Sequence, residues 1–579
     1  MDSGPADLGG HATSNDLGHD AEEHIAREIA MHHREIQKLR KRLNSHRTAC
    51  RLPVEILTNI FEEVRLTTQT LDYSPLQDPD PYEWIVVTHV CSLWRDVALR
   101  SPALWRHIYV TETAMEWITE ILSRSKDIPL VVVARYVPDS AIPRQMVAVV
   151  LQKMFRIGIL RISAPMDVLK NIAQLIDGSA PVLQHIIITC NSTWHEPVSF
   201  GLLLNPEQLP VLQRLELDDI SFPWGTPLPH TVRELTSRVR ETTLGDMLRT
   251  LNTVPGLEVL SLSSNPFSLS DNREDHTIVP LPRLRLLCFS EGDISHVASL
   301  VDHISFPLQT SIEWTCPYAF GDEQPFATLA AKLFTRTQWK ALHISSELWR
   351  IMIRASSDAE QLDWCRGYVG SSSTLDFSYA SDLQSLPARE LVATFCKAVP
   401  LIYVRTLEMS CGFDDLGWME LFGDLPNLSS LHVVGGMALT LPRALRTRLR
   451  DDGDGDVLYF AHDLRTLTFS EVDFMAPAIS FGPITSCGPL KELEIALQER
   501  RAHDVNLKKI AFRHCTKLGD YNRRRWEHLA EKVEHYCSWE EFTDTDEGGY
   551  LSEADIPQID EDDEDFDDFD ENNHIHGAY

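Results

Sequence analysis

The 579-residue sequence predicts an α+β chain of repeat type: a helical N-terminal part, an irregular array of short strands with helices or loops between them, and an acidic tail. Three observations give that class. Apolar residues recur at helical spacing between Ile25 and Trp105, one short apolar motif returns eight times after about residue 155, and Glu540 to Glu571 holds seventeen acidic residues with no Lys or Arg. These divide the chain into a disordered start (1–20), an amphipathic helix (21–47), a compact helical module (48–110), the repeat array (111–538) and a disordered tail (539–579).

An apolar fraction of 43% can fill a large core, and a net charge of −32 repels phosphate backbones and anionic lipid, so neither nucleic acid nor a membrane is an expected partner. The eleven cysteines form no CxxC pair, and the MDSGPADLGG start has no signal-peptide pattern. No apolar run nears the roughly 18 to 20 residues of a membrane span. These features read as an intracellular chain with reduced thiols, cytoplasmic and/or nuclear.

In the first helix Ile25, Ile29, Ile36, Leu39 and Leu43 fall in a 4-3-4-3-4 rhythm that His32 completes, which is a heptad seam. The helix either packs on its own chain or pairs with a second copy as a coiled coil. Its Lys38, Arg40, Lys41 and Arg42 serve as a solvated face or as a nuclear signal.

The next module opens with LPVEILTNIFEEV, Leu52 to Val64, where Pro53 starts a helix and Ile56, Leu57, Ile60, Phe61 and Val64 share an apolar side. A second helix is expected over WIVVTHVCSLWRDVAL, Trp84 to Leu99, with Val86, Val90, Trp94 and Val97 on one face. In SPALW, Ser101 suits an N-cap and Pro102 the first helical position, with Leu104 and Trp105 closing an apolar turn. The Pro- and Asp-rich segment between Val64 and Trp84 is expected to be a loop without helix. Three short helices cannot bury so many large side chains unaided, which marks an interface.

These three blocks, Leu-Pro-x-Glu-Ile-Leu-x-x-Ile-Phe, Val-Cys-x-x-Trp-Arg-x-Val-Ala and Ser-Pro-x-Leu-Trp, resemble the F-box, especially that of basidiomycete fungi. The resemblance implies docking on a Skp-type adaptor, and through it a cullin scaffold, within an SCF ubiquitin ligase. By the same resemblance the docking residues are Leu52, Pro53, Ile56, Leu57, Ile60, Phe61, Val90, Cys91, Trp94 and Trp105. Some of these must instead hold the three helices together.

The recurring motif is an apolar residue, two variable ones, an apolar, one variable and an apolar. It begins at Leu183, Leu212, Leu257, Leu284, Leu428, Leu464, Leu490 and Leu507, with weaker copies around Trp339 to Ile344, Leu375 to Phe377 and Val404 to Met409. Several copies follow a Pro that stops a helix and sets up an extended strand. Two add the Asn or Cys of the leucine-rich form, Asn265 and Cys515, expected to turn inward and satisfy backbone groups of the next coil. The array therefore resembles an irregular leucine-rich-repeat α/β solenoid, with an ordinary α/β sheet as the other reading. In the solenoid, Glu216, Ser261, His432 and Glu494 face outward on the concave sheet and offer a surface to a protein target.

No motif for phosphate binding, hydride transfer, acyl transfer or zinc hydrolysis occurs, so neither enzymatic activity nor a cofactor is expected. The DDGDGD loop at Asp451 to Asp456 has Val457 where a calcium loop needs Gly, and His574 with His576 reads as a casual tail pair. RRRW, Arg523 to Trp526, is a solvated run, an import signal or an anion contact. The acidic tail either solubilises the chain or captures a basic partner, with Phe566 and Phe569 as anchors. Two functions follow: a substrate-recognition adaptor of a ubiquitin ligase, or a non-catalytic scaffold that dimerises through the first helix and has no ligase role.

Overall fold

The computed structural model describes residues 14–70, 81–110, 115–135, 141–175, 179–190, 206–239, 242–264, 278–291, 293–317, 323–347, 350–358, 374–380, 388–410, 415–435, 440–449, 458–459, 461–474, 489–515 and 526–536. Asn265, the DDGDGD loop, Arg523 to Arg525 and the acidic tail with its Phe and His residues lie outside these.

Three helices lead the chain: α1 (Ser14–Ser45), α2 (Val54–Thr70) and α3 (Ser92–Arg100), with 3-10 turns over Thr48–Arg51, Glu83–His89 and Pro102–Trp105. The strands then begin with β1 (His107–Tyr109), β2 (Leu130–Ala134), β3 (Ile157–Ala164), β4 (His185–Cys190), β5 (Arg214–Ser221), β6 (Glu234–Val239) and β7 (Val259–Ser264). They continue as β8 (Val279–Pro280), β9 (Leu286–Ser290), β10 (Ile304–Ser305), β11 (Ser311–Pro317), β12 (Ala341–Glu347), β13 (Arg350–Ser356) and β14 (Thr374–Ala380). The rest are β15 (Thr406–Met409), β16 (Ser430–Val434), β17 (Arg448–Leu449), β18 (Leu458–Tyr459), β19 (Thr466–Ser470), β20 (Leu507–Arg513) and β21 (Ala530–Tyr536).

Helices α4 (Met115–Arg124), α5 (Ala141–Leu151), α6 (Met166–Leu175), α7 (Leu244–Leu251) and α8 (Ile294–His303) punctuate the first half of the array. In the second half stand α9 (Glu323–Phe334), α10 (Ala388–Ala398), α11 (Asp415–Asp424), α12 (Leu441–Arg446) and α13 (Pro489–Ala502).

Among the described residues seventeen strands form one sheet. Its order follows the chain from β1 to β7, through β9 and β11, all parallel. The order then inverts, because β11 pairs with β14, β14 with β13, β13 with β12 and β12 with β15. The two pairings of β13 are antiparallel, and chain order resumes in parallel from β15 through β16, β19 and β20 to β21.

Alternation fixes which side of this sheet is covered. Ile186, Leu215, Leu260, Leu287, Leu342, Leu407, Leu431, Leu467 and Ile510 are buried, and they join the buried residues of the helices in one core. Many of the neighbours that alternate with them on the other side are polar, among them Glu216, Ser261, His343, Glu408 and His432, although Ile187, Ala341 and Ala511 are apolar. The first helices share the same core, since Trp105 packs on Trp117 of α4 with ring centroids 5.9 Å apart and the Arg124 guanidinium lies 4.5 Å from the Trp105 ring centroid.

Several expectations need correction. The copy at Leu490 is not a strand but part of α13, which buries Leu493, Ala496, Leu497 and Arg500 at helical spacing. The motif's first two anchors stand three apart, a spacing common to both structures, and the Lys-Glu-Gln-rich intervals favour helix. Glu494 therefore lies on a helix, not on the sheet. Cys515 does turn inward, and its thiol lies 3.6 Å from the Phe469 carbonyl of β19, the preceding strand.

The expected start at residue 21 also shifts, because α1 begins at Ser14. Helix α2 runs on to Thr70, into the segment expected to be a loop. Trp84 to Leu99 is broken rather than continuous: a 3-10 turn ends at His89, and Cys91 is extended at φ −160° before α3 begins. The β-branched run Ile-Val-Val-Thr resists helix there. Ser101 precedes its turn without capping it, since its hydroxyl donates to the Val97 carbonyl at 2.7 Å. Finally, among the described residues nothing covers the seam of α1: Ile25, Ile29, Ile36, Leu39 and Leu43 are each about half exposed, from 47% to 60%.

Candidate functional site: an apolar helical face and a polar sheet face

Helix α2 carries two apolar faces. Leu57 and Phe61, four residues apart, are completely buried, and Phe61 meets Trp94 at 5.1 Å between ring centroids. Ile56 and Ile60, each one position earlier, are 45% and 38% exposed and line a shallow groove with Asn59, Glu63, Val64 and Thr67. One turn of helix thus serves the interior and the surface at once.

The ten residues expected to dock are divided by this geometry. Pro53, Ile56, Ile60 and Val90 are exposed, with Val90 at 59%. Leu52 and Trp94 are half-buried against the core, and Cys91 is half-buried. Leu57, Phe61 and Trp105 have no surface left to offer, and the Trp105 indole N–H donates to the Ala98 carbonyl at 2.8 Å. Val54, Val86 and Leu66, outside that set, are exposed as well. Their signal in the sequence was apolar character out of step with the buried Leu57 and Phe61.

The shortage of cover foreseen for three short helices is partly met by the sheet domain. The Tyr82 hydroxyl accepts the backbone N–H of Tyr109 in β1 at 3.0 Å, while within the module Trp84 meets Trp105 edge-on at 5.2 Å. Beneath them Arg65 is buried and pairs with Glu62 at 2.9 Å, while Arg106 approaches the same carboxylate at 3.6 Å. Burial first, and then those two guanidiniums, push His107 down to about 3, so it is neutral at physiological pH. Cys50 and Cys91 are free thiols whose sulfurs lie 3.8 Å apart.

The polar side of the sheet carries the second candidate surface. One register row runs through Glu216, Thr236, Ser261, Cys288, Glu313, Asp376, Arg354, His343, Glu408, His432 and Thr468, each beside the next on adjacent strands. Arg354 donates to Asp376 at 2.9 Å, and the Glu408 carboxylate lies 3.1 Å from Nδ1 of both His343 and His432. Nε2 of His432 meets the Ser470 hydroxyl at 2.7 Å. Burial raises the Glu408 carboxyl, but the two imidazoles outweigh it and hold the group at about 2. Glu313 moves the other way, raised by burial and then by Asp376. Of this row the sequence pointed only to Glu216, Ser261 and His432, although every member but Thr236 sits between two apolar residues, as in Leu342-His343-Ile344 and Leu407-Glu408-Met409.

Among the described residues no cluster of three His, Cys, Asp or Glu could hold a metal ion, and no helix is long and apolar enough to cross a membrane. No curated protein matches the chain. Residues 49–111, which span α2, α3 and the Pro102–Trp105 turn, match the family described as F-box-like, and the chain therefore carries an F-box-like domain.

Proposed function

We propose that this chain is a non-catalytic substrate adaptor of an SCF-type ubiquitin ligase. Its F-box-like domain docks on a Skp-type adaptor and so reaches a cullin, and the polar face of its sheet holds a protein target. We read the strand and helix array as an irregular leucine-rich-repeat solenoid, a reading supported by the parallel ladder that follows the chain at both ends of the sheet. The cytoplasm and/or nucleus is the setting that suits such a role.

The observation that carries the proposal is the second apolar face of α2, Ile56 and Ile60, left open inside a domain that matches the F-box-like family. Central apolar anchors of an interface cost about 2 kcal/mol or more each when removed. Ile56→Lys with Ile60→Lys should therefore abolish co-purification with a Skp-type adaptor while leaving the thermal melt unchanged, because neither side chain is buried. Equal recovery of wild type and variant would remove the ligase role and leave the scaffold that pairs through α1.

A further inference from the structure

We propose that α1 pairs with α1 of a second copy of this chain as a parallel, two-stranded coiled coil. The five apolar residues of its seam are half exposed, and from Glu22 to Ser45 only Ala30 and Asn44 are even partly covered. A helix of 32 residues with an uncovered stripe has its apolar face still to bury.

The stripe complements itself. With Ile29, Ile36 and Leu43 at the first core position of each heptad, Ile25, His32 and Leu39 fall at the second. Ile29 and Ile36 at the first position with Leu39 at the second favour two parallel strands, and the polar His32 at a second position costs affinity.

Charge selects the orientation. In a parallel pair the flanking positions set Glu28 opposite His33 and Glu35 opposite Arg40 of the other copy, each contact made twice by symmetry. Reversing one helix so that all six core layers still meet sets Glu35 against Glu35 and leaves Arg40 facing Ala26. It gains Glu28 against Arg42, but the Glu35 repulsion and the lost contact of Glu28 with His33 leave the parallel pair with the better balance. Within one chain Glu35 holds only the exposed Lys38, at 3.2 Å. Its exchange for Arg40 of the second copy therefore breaks nothing buried.

Sedimentation of the full-length chain tests this. At tens of micromolar the wild type should run at twice the 65.8 kDa of one chain and dissociate on dilution. Arg40→Glu should weaken the dimer by about ten-fold, as should Glu35→Arg, and a mixture of the two variants should restore it, since each then meets its opposite charge. His32→Leu should tighten it by at least about ten-fold. A monomer at every concentration overturns the proposal, and so does a mass that changes only when a Skp-type adaptor is added. A dimer indifferent to Arg40→Glu overturns the parallel arrangement. Because these measurements need no ligase component, they stand or fall apart from the adaptor role.

Discussion

Glu408 is the residue on which the polar face of the sheet turns. Its carboxylate lies between His343 and His432 with little water contact, 14% of the side chain exposed, and it titrates at about 2 instead of 4.5. The unfolded chain binds a proton as the pH falls below 4.5, whereas the folded chain refuses it until about 2. Stability from this group is therefore complete above 4.5 and is lost between those values, by up to about 3 kcal/mol. Glu408→Gln should start less stable in urea melts at pH 7 and fall less steeply from pH 5 to 3; parallel curves for the two proteins would refute the assignment. His107 contributes in the opposite region, since keeping it neutral costs stability as soon as the pH drops below its ordinary value near 6.5. At this scale the sequence was least informative. Ile56 and Leu57 are both apolar and adjacent, and only a 100° step around the helix sends one outward and the other to the core.

At the scale of elements, period decided what could be foreseen. Strands appeared where alternation was strong, as at Leu183 to Ile188 and Leu428 to Val433, and also at the weaker copies that became β12, β14 and β15. β6, β11 and β21 lack a clear sequence signal because polar or aromatic residues interrupt their motif, whereas β3 carries it whole in Ile157, Leu160 and Ile162. Strand direction was invisible, because inward and outward positions alternate identically in both orientations, and so the reversal at β13 left no mark. Helix α13 shows the converse error and has its own polar device. Arg500, 1% exposed, donates to the Ala461 carbonyl at 2.6 Å and the Leu445 carbonyl at 3.3 Å, tying α13 to the end of α12. Arg500→Leu strands both carbonyls and should cost about 2 to 4 kcal/mol in chemical denaturation. A loss below about 0.5 kcal/mol would show that water reaches them.

At the scale of the whole molecule, the helical start and the sheet share one core from Leu57 to Ala530. The fold class was legible from the repeated motif, but this continuity was not, since Trp105 and Trp117 meet only in space. The helical start and the adjoining sheet should consequently unfold together rather than one before the other. Phe395 offers a test far from the F-box-like domain: it is fully buried between Phe326 and Phe334, with centroids 5.9 and 5.2 Å away. Phe395→Ala should cost about 3 to 5 kcal/mol and move the urea midpoints followed by tryptophan fluorescence and by circular dichroism together. Divergent midpoints would mean that the two parts melt separately.

The inverted trio β14, β13 and β12 sits where chain order breaks. The chain leaves β11, passes over two strand positions through α9 to reach β12, doubles back twice, and leaves β14 by a second leap through α10 to β15. The two leaping helices pack on each other, where Phe326 and Phe395 stack. The trio behaves like a keystone: the arch on either side can rise by adding neighbours one at a time, but the gap is bridged only when three strands and both spans drop in together. Synthesis from the N-terminus must therefore leave β11 with an unsealed flank until residue 380 has emerged, and in that interval the growing chain is most exposed to sticking to others.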